Sequence, residues 1–444
     1  MTGKPVKSDE VNAILADRAR AVEEWVEWHF IDPQGVVYSL LDKETVRPLT
    51  DSCFDAVVEK QKHVPGVTPA DFWNYENCGM TTGAYLQALV CRYKVTGDAA
   101  ALMRARRCFQ ALRHIYEMGK ELEEGFFPKI YGGRFSNQTS TDQALYAVMA
   151  LDAFAPYAAA AERAEIARMI SRMIDFWVKR KYRYLYYHVP DMLWPLARFP
   201  SLLLLAYKHS GDAKFQNEYW RLLAEGVNRQ PGESRLLRKR SGAAKPSDYE
   251  QEQHAWLINH LADAVTMDIM ELDYLLRHDP QNSWAGCWRE SVRMMWAEGI
   301  LSIGEDGTYY IEMLVDMDTG VARRPAAQCN ATGPMITGAS SGWGSMIARA
   351  GVQAAAYLAD PQAALAIAKK ILLAQDIPDF TYMNDPERWP PDLRYQTRFF
   401  SGDAVTNWLW AYWLGCCDGY WRAASSFAPC SGIRASSQIE GHDI

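Results

Sequence analysis

Tyr93-Lys94-Val95-Thr96-Gly97-Asp98 recurs further along the chain as Tyr207-Lys208-His209-Ser210-Gly211-Asp212, and Tyr357-Leu358-Ala359-Asp360 is a degenerate third copy. In both full copies an apolar helical pattern runs into a glycine suited to the left-handed conformation that ends helices. The aspartate that follows has the side chain of a helix N-cap, so the motif reads as a tight turn between consecutive helices. Around these turns, apolar residues three and four apart predict twelve helices. They cover residues 8–29, 77–95, 98–118, 141–155, 160–180, 196–209, 212–227, 250–276, 282–298, 342–358, 361–374 and 402–422. The second, sixth and tenth of these end in the repeated turn, which sets them on one side of a ring of alternating inner and outer helices. The expected fold is an all-α, six-hairpin (α/α) toroid. Short β-hairpins at one rim are expected from Val36 to Leu40 and from Gly307 to Leu314, with Gly304 and Gly307 as turn residues.

The connections in this series are unequal. Turns from even to odd helices are short, whereas those leading into even helices span residues 119–140, 181–195, 228–249, 299–341 and 375–401. Long ordered loops in a compact domain are usually functional. These five gather at the end of the ring that holds the N-termini of the even helices.

Composition narrows the classes. No linker or low-complexity run divides the 444 residues, so one domain over 1–444 is expected, with a polar tail from about 424. A hydrophobic fraction of 49% supports a large core. The net charge of −7 carries no nucleic-acid footprint. The basic groups Arg104, Arg106, Arg107 and Arg235, Arg238, Lys239, Arg240 do not change that; the first reads as a solvated helix face. Nine cysteines at irregular spacing, without a CxxC pair, read as free thiols in a reducing compartment. Met1 to Val11 has no apolar core segment and no run reaches membrane-spanning length, so a cytoplasmic location is expected, or a periplasmic one had a leader been removed. No metal or cofactor is expected. Asp316-Met317-Asp318-Thr319-Gly320 begins like a calcium loop, but its twelfth position is Ala327. No nucleic-acid or membrane partner is expected, and a homo-oligomer is left open.

Candidate chemistry lies in the loops. Gly132-Gly133-Arg134-Phe135-Ser136-Asn137-Gln138-Thr139-Ser140-Thr141-Asp142-Gln143 delivers Asp142 to the first turn of an apolar helix. There it is either a dipole-favoured residue beside a Ser140 or Thr141 cap, or a general acid or base at a cleft floor. Glu76 sits among Trp73, Tyr75 and Asn77, and aromatic faces beside amides and carboxylates suit sugar rings and their hydroxyls. Glu252 and His254, before Trp256, make a third candidate. The aromatic stretch from Tyr182 through Tyr187, His188 and Trp194 to Arg198 is either core or a stacking wall. Trp343, Trp389, Arg394 and Arg398 complete the substrate-contact candidates, the arginines as bidentate partners for a carboxylate. Gly338-Ala339-Ser340-Ser341-Gly342 matches a nucleophile-elbow pattern but lacks its strand–turn–helix context, so it reads as a loop and N-cap leading into Trp343.

Ser140-Thr141-Asp142-Gln143 opening a helix after a glycine-bearing loop resembles the six-hairpin glycosidases, among them the unsaturated glucuronyl and rhamnogalacturonyl hydrolases and related β-glucuronidases. The Tyr93 to Asp98 turn is similar to turns of the same superfamily. The resemblance implies that Asp142 transfers a proton to a glycosidic oxygen or to an enol-ether sugar ring. It also implies a second aspartate near the start of the second helix, where this chain has Glu76 instead. The expected activity is a glycoside hydrolase releasing terminal sugars, uronic acids foremost, from oligosaccharides. The alternatives are a lyase using Tyr187 or His188, an epimerase drawing paired histidines from His188, His254 and His260, and a non-catalytic glycan binder.

Overall fold

The computed structural model describes residues 8–54, 58, 60–227, 242, 245–259, 261–325, 338–384 and 391–423. Among them are twelve helices of at least twelve residues: α1 (Ser8–His29), α2 (Cys78–Thr96), α3 (Ala99–Gly119), α4 (Thr141–Phe154), α5 (Ala160–Lys179), α6 (Phe199–Ser210), α7 (Ala213–Ala224), α8 (Leu261–His278), α9 (Ala285–Gly299), α10 (Ser341–Ala355), α11 (Pro361–Ala374) and α12 (Gly402–Cys417). The even helices form the inner layer. Each touches the next from α2 round to α12, and α12 touches α2, so the ring closes; the odd helices pack outside.

Side chains set the layers. α2 is buried on every side from Cys78 to Cys91, and α12 from Gly402 to Trp413, as helices enclosed by helices must be. Outer α3 and α5 each bury one stripe and join their solvent faces through Arg106–Glu162 and Arg113–Glu165 pairs. Inner helices also need small residues at their contacts. A Cβ at Gly83 would stand 2.7 Å from the Tyr146 carbonyl of α4. The repeated turn forms as expected: Gly97 and Gly211 both take φ 66°, and their N–H groups donate to the carbonyls of Tyr93 and Tyr207. Asp98, Asp212 and Asp360 then cap α3, α7 and α11.

One expectation changes, and the two rim hairpins form with additions. The eighth helix does not run from residue 250. Ser247 and Glu250 form a capping box on a single short helix, Asp248–Glu252, and His254 leaves it at φ 47°. Strand β6 (Ala255–Asn259) follows, and α8 begins only at Leu261. Val36 to Leu40 begins, as expected, in a short local hairpin: Val37 pairs antiparallel with Ile31, and the Asp32 N–H donates to the Val36 carbonyl at 2.9 Å. Beyond it, β1 (Leu40–Asp42) pairs with β9 (Phe399–Ser401), tying the first loop to the last. Gly307 does turn, at φ 89°, and Ile303 pairs antiparallel with Tyr309 across it; further on, β7 (Glu312–Asp316) lies between β6 and β8 (Ala322–Arg323). Two further hairpins, β2 (Ile130–Tyr131) with β3 (Arg134–Phe135) and β4 (Arg183–Tyr186) with β5 (Val189–Leu193), stand in the first two long loops. The tail from about 424 and the group Arg235 to Arg240 lie outside the described residues. Among the described residues no helix is long and apolar enough to cross a membrane.

Candidate active site

The inner helices begin around a cleft of about 580 Å³. Of the residues expected from sequence, Trp73, Glu76, Asn77, Asp142, Trp194 and Trp343 line it; Lys60, Lys129, Arg198 and Asp403 join them.

Asp142 is the second residue of α4. Ser140 holds the N-cap position without a side-chain capping bond, and Thr141 and Asp142 face a cation instead. Arg198 Nη1 donates to Thr141 Oγ1 at 2.8 Å and to Asp142 Oδ1 at 3.0 Å. Arg198 sits in the 3₁₀ turn Leu196–Arg198 that leads into α6. Burial works against its charge, but the carboxylates of Asp142, Glu271 and Asp268 outweigh burial and hold it above the ordinary arginine value. Glu271 lies behind, its Oε1 3.9 Å from Arg198 Nε, and burial lifts its carboxyl well above the usual range. Asp268, on the same helix, is raised by burial to about 6, with Arg198 opposing. One guanidinium thus serves three carboxyl groups.

Glu76 stands between a short helix, Pro69–Tyr75, and Asn77, the N-cap of α2. Its Oε1 accepts from Lys129 Nζ and from Tyr187 OH, each at 2.7 Å, and its Oε2 accepts from Tyr131 OH at 3.1 Å. Lys129 arrives from the apolar run Phe126-Phe127-Pro128-Lys129-Ile130-Tyr131, which buries it. Burial there disfavours its charge, but the Glu76 carboxylate holds it protonated, well above its ordinary value. Burial and the same carboxylate keep the Tyr187 and Tyr131 phenols protonated as donors. Tyr187 occupies the β4–β5 turn at φ 46°, a strained conformation for a bulky residue, with its N–H on Gln138 Oε1 at 2.7 Å. Gln143 locks α4 to α2 by accepting from Gly79 N–H and donating to the Glu76 carbonyl, both at 2.9 Å. Only glycine fits at 79: a Cβ would lie 2.3 Å from Gln143 Oε1.

Asp403 is a third carboxylate that the motif reading passed over. It is the second residue of α12, after the N-cap Ser401, and its Oδ2 accepts from Asn77 Nδ2 at 2.9 Å. Ser140-Thr141-Asp142 and Ser401-Gly402-Asp403 therefore hold matching positions on the two helices that flank α2. That Ser-x-Asp match is visible in the sequence. α10 opens the same way with Ser340-Ser341-Gly342, a glycine replacing the acid.

Other candidates stand elsewhere. Tyr187 and Gln143 form a layer behind Glu76. Arg134 is exposed and donates to Asp71 and the Gly66 carbonyl. His188 is exposed, its ring 4.9 Å from that of His63. Glu252 and His254 are exposed because strand β6 separates them from α8, and His254 Nε2 contacts Asp318 Oδ2 at 2.8 Å. Arg394 and Arg398 are exposed and do not line the cleft. Trp389 and His260 lie outside the described residues.

No family model matches the sequence, and no curated protein does. Solved structures do match in fold. An unsaturated glucuronyl hydrolase specific for heparin aligns over 94% of this chain and 100% of its own, at 10% identity and a TM-score of 0.54. A cellobiose 2-epimerase from Bacillus thermoamylovorans aligns over 90% and 99%, at 10% identity and 0.52. A D-mannose isomerase aligns over 94% and 98%, at 10% identity and 0.50. This chain shares the all-α toroid fold with all three.

Proposed function

We propose that the chain is a carbohydrate-active enzyme that hydrolyses the glycosidic bond of a uronic-acid residue. In this reading Asp142 and Asp403 move protons at the bond, and Glu76 is a fixed anion beside it. The observation that carries the proposal is the meeting of three carboxylates, at the starts of α12, α2 and α4, in one aromatic-walled cleft. Glycoside cleavage needs one carboxyl to protonate the leaving oxygen and another to attack the anomeric carbon or activate water. Three donors occupy Glu76, which leaves the proton traffic to the other two. Asp142 offers the cleft 27% of its side-chain surface, against 12% for Glu76. Trp73 and Tyr382, edge to face at 5.8 Å, make a platform for the apolar face of a sugar. Lys60, resting over the rings of Tyr186 and Tyr187, suits the sugar's carboxylate, and the inner-helix N-termini add positive potential.

The shared fold accommodates epimerases and isomerases as well, so the choice rests on the site. An epimerase needs two histidines facing each other across the cleft, and His188 and His254 both stand exposed outside it. A lyase needs a phenol or imidazole free to take a proton, and Tyr187 is a held donor to Glu76. The test is to incubate the protein with glucuronides, the matching glucosides and an unsaturated uronyl disaccharide, following free sugar and ultraviolet absorbance. Release from uronides at least tenfold faster than from glucosides is expected. A new epimer without sugar release, or rising absorbance, would replace hydrolysis with the corresponding rival.

A further inference from the structure

The cleft carries its carboxylates on one side only. Its carboxylates come from α12, α2 and α4. In the closed ring α2 lies opposite α8, α4 opposite α10, and α12 opposite α6. Across from the acids the wall is built from Tyr186, Met192, Trp194 and Pro195 on the approach to α6, Met267 on α8, and Trp343 and Met346 on α10. Five of the chain's 17 methionines line this one cleft, far more than an even spread would put there.

Few polar groups on that wall are open to a ligand, the Trp194 indole N–H being one that has no partner. Arg198 is spent on Thr141 and Asp142. Ser340 Oγ donates to the Tyr382 carbonyl at 3.0 Å and caps its own helix. At the helix position where α4 and α12 carry aspartate, α10 carries Gly342, which removes an acid and opens space together.

We propose that the group on the leaving side of the scissile bond is a flat apolar aglycone, aryl or polycyclic, and not a further sugar. The inference rests on the hydrolase reading and names its substrate class. A second sugar would bring hydroxyls against the thioether surface of Met192, Met267 and Met346, and each one left unpaired costs about 1–3 kcal/mol. Methionines, unbranched and polarizable, pack well on aromatic rings. A cleft of about 580 Å³ also lies within the range that holds a drug-sized ligand, here one sugar with a two- or three-ring aglycone.

The test titrates the full-length Asp142→Asn protein with 2-naphthyl glucuronide and with a glucuronyl disaccharide, by calorimetry, and compares wild-type turnover of both. The aryl glucuronide is expected to bind at least tenfold tighter. A Met267→Gln/Met346→Gln double variant should lower the aryl-to-disaccharide ratio of kcat/KM at least tenfold. Met267→Leu/Met346→Leu, which keeps the wall apolar, should retain the ratio and control for folding. Equal or tighter disaccharide binding overturns the aglycone proposal and leaves hydrolysis standing if the disaccharide is cleaved. Tight aryl binding with neither compound cleaved supports the apolar subsite and overturns the hydrolase reading alone.

Discussion

The two ends of the ring hold similar charged residues in opposite circumstances. Where the inner helices finish, the chain turns back through short links such as Gly97-Asp98 and Gly211-Asp212, and the axis is filled by side chains. Arg349 lies buried over the Trp410 ring and donates to Gln353, Tyr146 and the Thr266 carbonyl. Gln353 passes the contact to Asp273, which also accepts from Arg277 and Tyr357 at 2.7 Å each. Where the inner helices begin, long loops stand around the axis without filling it. There Asp142 shares Arg198 with Glu271 and Asp268, and a cleft remains. Buried charge that is shared around a closed network holds a structure together. Charge that is only partly engaged beside open space is available for chemistry.

The comparison breaks if acids at the two ends respond alike. Asp403→Asn should lower kcat/KM by about 10²–10⁴-fold, the range for a lost proton-transfer group, with the melting temperature close to wild type. Asp273→Ala should do the reverse. It takes the acceptor from Gln353 and Tyr357, leaving Arg277 only Asp418, and should cost about 1–3 kcal/mol in urea unfolding, while kcat of the folded protein stays within about twofold. Tyr187→Phe removes one donor from Glu76. A hydrogen bond to a charged group is worth about 1.5–3 kcal/mol, so kcat should fall roughly 10–100-fold with the fold intact.

Two smaller effects sharpen the contrast. Burial holds Asp268 at about 6, against 3.8 for a free aspartate. Between those values the folded protein keeps a proton that the unfolded chain has released, so stability falls as pH rises through that window. Asp268→Asn should flatten that slope in melting temperature against pH, by an amount tempered by the residue's partial exposure. At the closed end, Gly211→Ala forces a side chain into φ 66° and should cost about 1–2 kcal/mol, with activity unchanged.

The ring was legible because its turns repeat and because inner and outer helices differ in how much of their surface is apolar. Asp142 was legible for a related reason: a long polar loop ended at a helix start. Asp403 was equally readable in the same Ser-x-Asp pattern but is recognised only once α12 is seen to flank α2. Lys129 was signalled by its place inside an apolar run, which demands a buried anion as partner. Glu252 illustrates the opposite case. Its capping box does start a helix, but pairing between residues 255–259 and 312–316 then turns the chain into a strand, and such a non-local contact leaves no mark in a helical window. Which arginine faces the cleft is also a tertiary outcome: Arg198 is drawn in by Asp142, while Arg394 and Arg398 remain exposed.

The most direct test of the account is steady-state hydrolysis of an aryl glucuronide by wild-type protein and by Asp142→Asn, with the melting temperature of each. The account predicts a loss of at least about 10³-fold in kcat/KM with little change in melting temperature. Turnover by the variant within a few-fold of wild type would contradict it and move the chemistry away from the start of α4.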